Sequence, residues 1–125
     1  MTGTPRWRDG RGTLHLGEES GGVTIPLEIA ASYRARTRGL LKRDGVEGAM
    51  LLTPAASVHT FRMRFAIDVV YLDRALRVLA VRTMRPGRMG APRPRARHVL
   101  EAEAGAAARW GLRPGAVLRI EPTAG

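Results

Sequence analysis

The length and composition of the chain are those of an ordinary small globular protein. Its 125 residues suffice for one domain with a hydrophobic core, and 44% hydrophobic and 26% charged residues exclude wholesale disorder. The absence of cysteine excludes disulfides and thiolate catalysis. The N-terminus lacks the apolar run of a signal peptide, and no segment approaches the roughly 20 apolar residues of a membrane-spanning helix. We therefore expect a cytoplasmic protein with no membrane partner.

The net charge of +10 favours anionic partners without specifying any of them. All basic residues except Lys42 are arginines, and residues 62–125 carry 13 basic and 5 acidic side chains, a net charge of +8. Modules that bind single-stranded nucleic acid usually interleave aromatic with basic residues, whereas only 5% of this chain is aromatic. Nucleic acid remains open as a partner, but it is not favoured.

The N-terminus is predicted to lie outside the folded part of the chain. Residues 1–12 contain charges and glycines but no apolar run, which is typical of a flexible tail. Residues 13–125 show no internal repeat and no sign of a second domain, so they are expected to form a single domain. The first strand of that domain is predicted at 13–16.

Two strands and a helix are predicted in the rest of the first half. Apolar residues alternate along 23–29, which indicates a half-buried strand, and Pro26 places that strand at a sheet edge or an irregularity. Ser32 is a suitable N-cap for a helix over 33–41. The apolar run at 48–52 predicts a buried strand.

The clearest strand pattern covers residues 61–71. Every odd position there is a large apolar residue: Phe61, Met63, Phe65, Ile67, Val69 and Tyr71. A period of two predicts one strand whose odd-numbered side chains face the core. Polar side chains lie between them or just before the strand: His59, Thr60, Arg62, Arg64 and Asp68. Because one rigid element would hold these groups, they are the first candidates for a binding site.

The second half predicts a hairpin and a final group of short elements. These are a turn at 73–75, a return strand at 76–83, a strand at 98–101, a helix around 104–110 and a last strand at 117–121. Residues 84–97 contain three prolines, two glycines and five arginines, which predicts a mobile, basic loop. The fold class is therefore mainly β: a single-domain barrel or sandwich of about seven short strands with two short helices.

The order of these motifs resembles a known family of small prokaryotic proteins, the domain of unknown function 192. The resembling segments are 37–41 (TRGLL), 48–52 (GAMLL), 59–73 (HTFRMRFAIDVVYLD), 99–105 (VLEAEAG) and 111–115 (GLRPG). Together they span most of the chain in the order that the family shows. The resemblance implies a β-rich, single-domain fold. It implies no activity, because none is assigned to the family as a whole.

The polar residues of the central strand allow two interpretations. Arg62 or Arg64 could form an ion pair with Asp68 or with a neighbouring strand, which typically contributes only about 0–1 kcal/mol at a surface. An arginine could instead bind a carboxylate or phosphate with two parallel hydrogen bonds. Because Asp68 is flanked by apolar residues, we expect an arginine or backbone N–H groups to compensate its charge, which would make its role architectural.

His59 and Glu101 are the remaining candidates. His59 falls on the apolar phase, where a packed, hydrogen-bonded histidine is more common than a ligand. No two histidines have the spacing of a metal site, so no metal and no cofactor is predicted. Glu101 is expected to accept backbone N–H groups at the start of the second helix, or else to act as a general acid or base in a pocket with Asp68.

Three functions remain open. The leading hypothesis is a non-catalytic module that binds a small anionic ligand or a protein partner through His59, Arg64 and residues 84–97. The second is an enzyme that uses Asp68, Glu101 and His59 as acid and base groups. The third is a nucleic-acid accessory protein that uses residues 84–97. An enzyme needs a concave pocket that holds at least two titratable groups with perturbed pKa values, whereas a groove suffices for a binding module. A nucleic-acid binder should lose affinity steeply with salt.

Overall fold

The computed structural model describes residues 7–17 and 22–123. They contain seven strands and two short helices: β1 (Gly10–Leu16), β2 (Val23–Ala30), α1 (Tyr33–Arg38), β3 (Ala49–Leu52), β4 (Ile67–Leu72), β5 (Val78–Met84), β6 (His98–Glu103), α2 (Ala106–Arg109) and β7 (Arg119–Pro122). The mainly β class, with seven strands and two helices, is confirmed. Ser32 caps α1 as predicted, since its hydroxyl accepts the Ala35 N–H at 3.1 Å.

All seven strands belong to one sheet, in the order β5-β4-β6-β3-β2-β1-β7. The β2–β3 pair is parallel and the other pairs are antiparallel. No ladder between β5 and β7 closes the sheet into a barrel, but the chain just before each of these strands is bridged between Arg77 and Val117. The Val78 N–H donates to the Ala116 carbonyl at 2.7 Å in the same place. The two ends of the sheet therefore approach each other.

Apolar side chains form two separate cores, one on each face of the sheet. The inner core includes Leu14, Leu27, Leu51, Val70, Val78, Leu100 and Leu118. Because it draws on β1 to β6 and on the segment before β7, the sheet curls around it. The outer core includes Leu40, Met50, Met63, Ile67, Val69, Tyr71, Ala96 and Val99. Residues outside the strands, such as Leu40 and Ala96, cover this second face, so β4 is buried along its whole length.

The central strand is shorter than the alternating pattern predicts. β4 begins at Ile67, and residues 61–66 form turns and bends, so the prediction of one strand from 61 to 71 is wrong for its first half. Arg62 has φ 63, a left-handed conformation that cannot continue a strand. Phe61 is 41% exposed and does not face the core, whereas Met63 is buried as expected.

The proline-containing strand β2 is an interior strand of the sheet and not an edge strand. Its parallel ladder with β3 starts at Leu27, which pairs with Ala49. Pro26 lies one residue before that ladder, where β2 has no strand neighbour on that side. The missing N–H of Pro26 therefore removes no hydrogen bond from the β2–β3 ladder.

The N-terminal boundary of the domain lies before residue 13. β1 begins at Gly10, whose partner is Ile29 in β2. Just ahead of it, the Asp9 carboxylate accepts the backbone N–H of Ala31 at 2.6 Å and that of Ser32 at 2.7 Å. The sequence showed charges here but not the partners that bind them, so the predicted start at 13 is too late. Residues 1–6 of the predicted tail lie outside the described residues.

Residues 84–97 are mostly irregular, as predicted, but Met84 ends β5 and Met89 forms an isolated bridge with His59. Backbone hydrogen bonds hold the segment to the rest of the domain: Gly87 to Thr60, Gly90 to Val58, Arg93 to Ala56 and Arg97 to Leu72. Ala96 is buried in the outer core. Mobility stays a prediction for relaxation measurements, and these contacts favour a fixed path.

Asp68 links β4 to β5 and to the start of α2. Its Oδ1 accepts the Thr83 hydroxyl at 2.7 Å, and its Oδ2 accepts the N–H groups of Gly105 and Ala107, both at 3.0 Å. The expected compensation by backbone N–H groups is confirmed. The prediction that Glu101 accepts them is wrong, because Glu101 lies on the other face of the sheet.

Among the described residues, no helix is both long and apolar enough to cross a membrane.

Asp68→Ala is expected to lower the free energy of unfolding by about 2–4 kcal/mol, because it leaves a hydroxyl and two N–H groups without their acceptor. Asp68→Asn keeps one oxygen for the N–H groups and should cost less. Urea unfolding at neutral pH, followed by circular dichroism, measures both losses. The control is Asp44→Ala, an exposed carboxylate that should change stability by no more than about 0.5 kcal/mol. An Asp68→Ala protein as stable as this control would contradict the architectural role.

Candidate functional site

The two arginines of the predicted site lie at the surface. Arg64 is exposed, and its Nη1 lies 3.3 Å from Oδ1 of Asp44, also an exposed residue. Arg62 is exposed and borders none of the cavities described below. The ion pair that we anticipated therefore exists, but with Asp44 in place of Asp68. Such an exposed pair contributes little stability.

Thr60 is fully buried and engaged with the turn that follows β5. Its hydroxyl donates to the Arg85 carbonyl at 2.6 Å and accepts the Arg88 N–H at 2.8 Å. Its backbone N–H and carbonyl also bind this turn, through Arg88 and Gly87. These bonds use the hydrogen-bonding groups of Thr60 to hold residues 85–88 in place, which is an architectural role.

Asp68 and Glu101 lie on opposite faces of the sheet. In the β4–β6 ladder Val69 is the partner of Glu101, and Asp68 is the partner of Ala102. Side chains alternate along a strand, so Glu101 shares the face of the outer core, while Asp68 shares that of the inner core. The hypothesis of a common pocket for the two carboxyl groups is therefore wrong.

His59 and Glu101, in contrast, line the same cavity. It has a volume of about 70 Å³, and its wall also includes Arg38, Gly39, Ser57 and Met63. Glu101 is only 4% exposed and forms the inner end, whereas His59 and Arg38 are exposed residues at the mouth. Of the six site residues predicted from the sequence, His59 and Glu101 are the two that line this cavity.

The Glu101 side chain is buried, and its carboxyl group faces no partner among the described residues. Its cross-strand neighbours are Met50 on β3 and Val69 on β4, both in the outer core. Within the part of the chain that the structure describes, the carboxyl has no hydrogen bond or ion pair. Burial in this apolar surrounding raises the pKa of Glu101 to about 7. Both protonation states are therefore populated at neutral pH, and the protonated form can donate a hydrogen bond into the cavity.

The His59 ring has a fixed orientation at the mouth. It stacks on the Phe61 ring with centroids 5.0 Å apart and planes inclined by 23°. The backbone N–H of Phe61 donates to His59 Nδ1 at 3.3 Å. This bond requires an unprotonated Nδ1, so the neutral ring carries its proton on Nε2, which is free to act as a donor. The partly exposed Phe61 thus supports His59 and does not fill the core.

The end of α1 supplies the opposite wall. Gly39 has φ 46 and turns the chain out of the helix, after which Leu40 enters the outer core. Arg38, on the last turn of α1, is thereby carried to the cavity mouth. Sequence reasoning missed Arg38 and Met63 as wall residues, although both belong to segments that carry the family resemblance.

No cluster suited to a metal ion occurs in 7–17 and 22–123, where no three histidine or acidic side chains come together. In the cavity wall, Glu101 and His59 lie among apolar residues and three further polar residues, Thr37, Arg38 and Ser57.

The family model described as an uncharacterised conserved family, domain of unknown function 192, matches residues 16–120. The chain belongs to this family. A UPF0127 protein of Pyrococcus horikoshii is 34% identical over 84 residues, which cover 63% of this chain and 73% of that protein. A UPF0127 protein of Pyrococcus abyssi is 32% identical over 84 residues, with coverages of 63% and 72%.

Two solved structures share the fold. A protein of unknown function from Novosphingobium aromaticivorans matches 86% of this chain and 83% of its own, with a TM-score of 0.73 and 22% identity. A Sinorhizobium meliloti protein described as a candidate transcription regulator matches 93% and 98%, with a TM-score of 0.78 and 16% identity. At these identities the likeness extends to the fold alone.

The cavity joins four of the segments by which this chain resembles the family. Gly39 comes from 37–41, Leu52 from 48–52, Met63 from 59–73, and Glu101 from 99–105. Segments that are far apart in the chain therefore meet around one buried carboxyl. Apolar residues of these segments, such as Leu40, Leu52 and Met63, also build the outer core, so packing explains part of this convergence. Packing does not, however, require an acid at the centre of the core.

The burial of Glu101 should make stability fall as pH rises. The folded pKa of about 7 lies above the ordinary value of 4.5, so between these values the folded state keeps a proton that the unfolded state releases. The cost of burying Glu101 is therefore smallest below about pH 4.5, grows as pH rises, and is complete above about pH 7. Glu101→Gln has no carboxyl to ionise. As pH rises from 5 to 8, its free energy of unfolding should therefore increase by about 2–3 kcal/mol relative to that of the parent.

Urea unfolding of both proteins at pH 5 and pH 8 measures this difference. Glu103→Gln is the matched control, because Glu103 lies on the same strand but is exposed. An equal pH dependence in the parent and in Glu101→Gln would show that the carboxyl is not desolvated as described.

Proposed function

We propose that the protein is a non-catalytic binding domain that accepts a small anionic group, such as a carboxylate, in the Glu101 cavity. The observation that carries this proposal is Glu101, a residue only 4% exposed in the wall of a cavity, whose carboxyl has no partner in 7–17 and 22–123. A bound anion would accept a hydrogen bond from protonated Glu101 and would lie near Arg38 and His59 at the mouth.

Glu101 places an acid among the apolar side chains of the outer core, which has an energetic cost. A buried polar group without a partner costs stability, and an apolar side chain flanked by Met50 and Val69 would avoid that cost. Architecture alone therefore gives no reason for an acid at this position. A ligand that supplies the missing hydrogen-bond partner does give one, because sites often sacrifice stability for binding.

The charges and the size of the cavity favour a small anion over a cation. Besides Glu101, the ionisable wall residues are Arg38 and His59, and neither is acidic. A volume of about 70 Å³ suits only a few non-hydrogen atoms, such as a carboxylate with its neighbouring carbon. The ligand is thus a small acid, or the carboxylate end of a larger molecule or partner that approaches from the mouth.

Acetate is the probe that tests this function. Binding is measured by NMR, from shifts of the Met63 methyl group and the His59 ring on titration at pH 6 and pH 8. Because the anion binds with protonated Glu101, its affinity should fall about tenfold between these pH values, as the protonated fraction falls. Glu101→Gln keeps a donor that does not titrate, so it should bind acetate with little difference between pH 6 and pH 8.

Methylammonium provides the opposite probe. A cation would pair with ionised Glu101 and bind more tightly at pH 8, which would reverse the proposed ligand charge. Acetate that causes no shifts at Met63 or His59 at any pH would refute the proposal. The control variant Glu103→Gln should behave as the parent in every titration.

The second candidate function is proton transfer by Glu101 and His59. It is favoured by their presence in one cavity and by a Glu101 pKa of about 7, which suits a general acid or base at neutral pH. Ionised Glu101 would remove a proton from a carbon next to a carbonyl group. NMR would detect this as exchange of the pyruvate methyl protons for solvent deuterium, catalysed by the parent but not by Glu101→Gln.

A nucleic-acid role for residues 84–97 has weaker support. It rests on the five arginines of this segment and on the description of the Sinorhizobium meliloti protein as a candidate transcription regulator. Affinity for a DNA duplex that falls steeply with salt would be the sign of this function.

A further inference from the structure

Two further cavities lie near the end of β4 and the start of β6, where Leu72 pairs with His98. The first, of about 480 Å³, has Trp7, Pro54, Leu76 and His98 in its wall. The second, of about 630 Å³, is bordered by Asp73 and three arginines, Arg74, Arg95 and Arg97. Arg74 and Arg97 border both cavities, so the two are adjacent, and together they are called the groove below.

One half of the groove is mostly apolar. The His98 ring lies edge-on to Trp7, with centroids 5.5 Å apart. His98 Nδ1 is 2.7 Å from the Thr53 hydroxyl, which fixes the orientation of the ring. Burial lowers the pKa of His98, so its ring adds no charge at neutral pH. This half suits the apolar body of a ligand.

The other half carries uncompensated positive charge. Arg74 and Arg95 are exposed and form no hydrogen bond or ion pair within 7–17 and 22–123. Arg97 Nη1 donates only to two backbone carbonyls, those of Pro94 and Ala96, at 3.0 and 3.1 Å. The carboxylate of Asp73 is used by its own turn, where Oδ1 accepts two backbone N–H groups. Three guanidinium groups therefore border this half against one engaged carboxylate.

The backbone that carries these arginines is held in place. The Arg97 N–H donates to the Leu72 carbonyl at 2.8 Å, and the Arg97 carbonyl accepts the Ala55 N–H at 2.9 Å. The Leu76 N–H donates to the Asp73 carbonyl at 3.0 Å, closing the turn that carries Arg74. A ligand would thus meet a preformed groove, in which the arginine side chains are the part that binding must order.

We propose that this groove is a second binding site, for a small organic anion with an apolar body and a phosphate or carboxylate head. The body lies against Trp7 and Leu76, and the head binds Arg74 and Arg95, whose guanidinium groups can bind such heads with two parallel hydrogen bonds. The volume of the apolar half falls within the usual range for ligand sites. The groove shares no wall residue with the Glu101 cavity, so the two sites are separate.

Isothermal titration calorimetry with four probes tests the proposal. Phenyl phosphate and phenylacetate have both a body and a head, inorganic phosphate has only the head, and benzyl alcohol has only the body. At least one of the two complete probes should bind at least about tenfold more tightly than both partial probes. Whichever binds more tightly identifies the preferred head.

Variants then locate the binding. The double variant Arg74→Gln/Arg95→Gln should weaken the complete probe by at least about tenfold, and Trp7→Ala should weaken it while leaving inorganic phosphate unchanged. Arg109→Gln is the control for the loss of positive charge, because exposed Arg109 lies on α2, which adjoins the opposite end of β4. This variant should bind the complete probe with the affinity of the parent. Circular dichroism and thermal unfolding identify any variant that does not fold.

The proposal would be overturned by no binding of either complete probe at millimolar concentration, by equal affinity for inorganic phosphate, or by equal weakening in Arg109→Gln. A preference for an acidic peptide or a DNA duplex over every small probe would also overturn it and assign the groove to a macromolecule. Glu101→Gln should leave this binding intact, so failure here is distinguishable from failure of the proposed acetate site.

Discussion

The pairing of β4 with β6 at the centre of the sheet is the constraint on which the rest of the structure depends. Apolar cores cover both faces of this pair, so any polar side chain that it carries must find a partner inside the protein or remain without one. Asp68 and Glu101 show the two outcomes. Asp68 accepts three hydrogen bonds and joins β4 to β5 and α2, whereas Glu101 accepts none within the described residues. The first carboxyl belongs to the architecture, and the second is the feature that architecture does not explain.

Much of the fold was predictable because local chemistry determines it. The helix after Ser32, the turn at Asp73 and the buried run at 48–52 all follow from residue types at short range, and the structure confirms them. The extent of the central strand was not predictable in this way. An alternating pattern at 61–66 arises here from a turn in which Arg62 has a positive φ, and no neighbouring residue type signals that conformation. Nor could the sequence show that a second core covers β4, so that Asp68 is buried together with its apolar neighbour Val69.

The candidate site was only partly predictable for a related reason. His59 and Glu101 could be named from the sequence, but whether two side chains share a face depends on strand register, which distant pairing sets. Glu101 lies opposite Val69, on the outer-core face. A shift of one residue in the β4–β6 register would place it opposite Asp68, on the inner-core face. Arg38 and Trp7 were beyond reach, because a turn at Gly39 and contacts with His98 bring them to their cavities.

Net charge alone is a poor guide to where this protein would hold an anion. Several of its arginines are already engaged: Arg43 makes two bonds to the Glu28 carboxylate at 2.8 and 2.9 Å, Arg93 lies over the Tyr71 ring, and Arg82 donates to a backbone carbonyl. Such groups have partners to lose when a ligand arrives, which reduces the gain from binding it. A guanidinium without a partner, beside a preformed cavity, has no such loss and pays only for ordering its side chain. By that criterion the +10 charge matters chiefly at the groove, where Arg74 and Arg95 border the basic half and Arg74 also borders the apolar half.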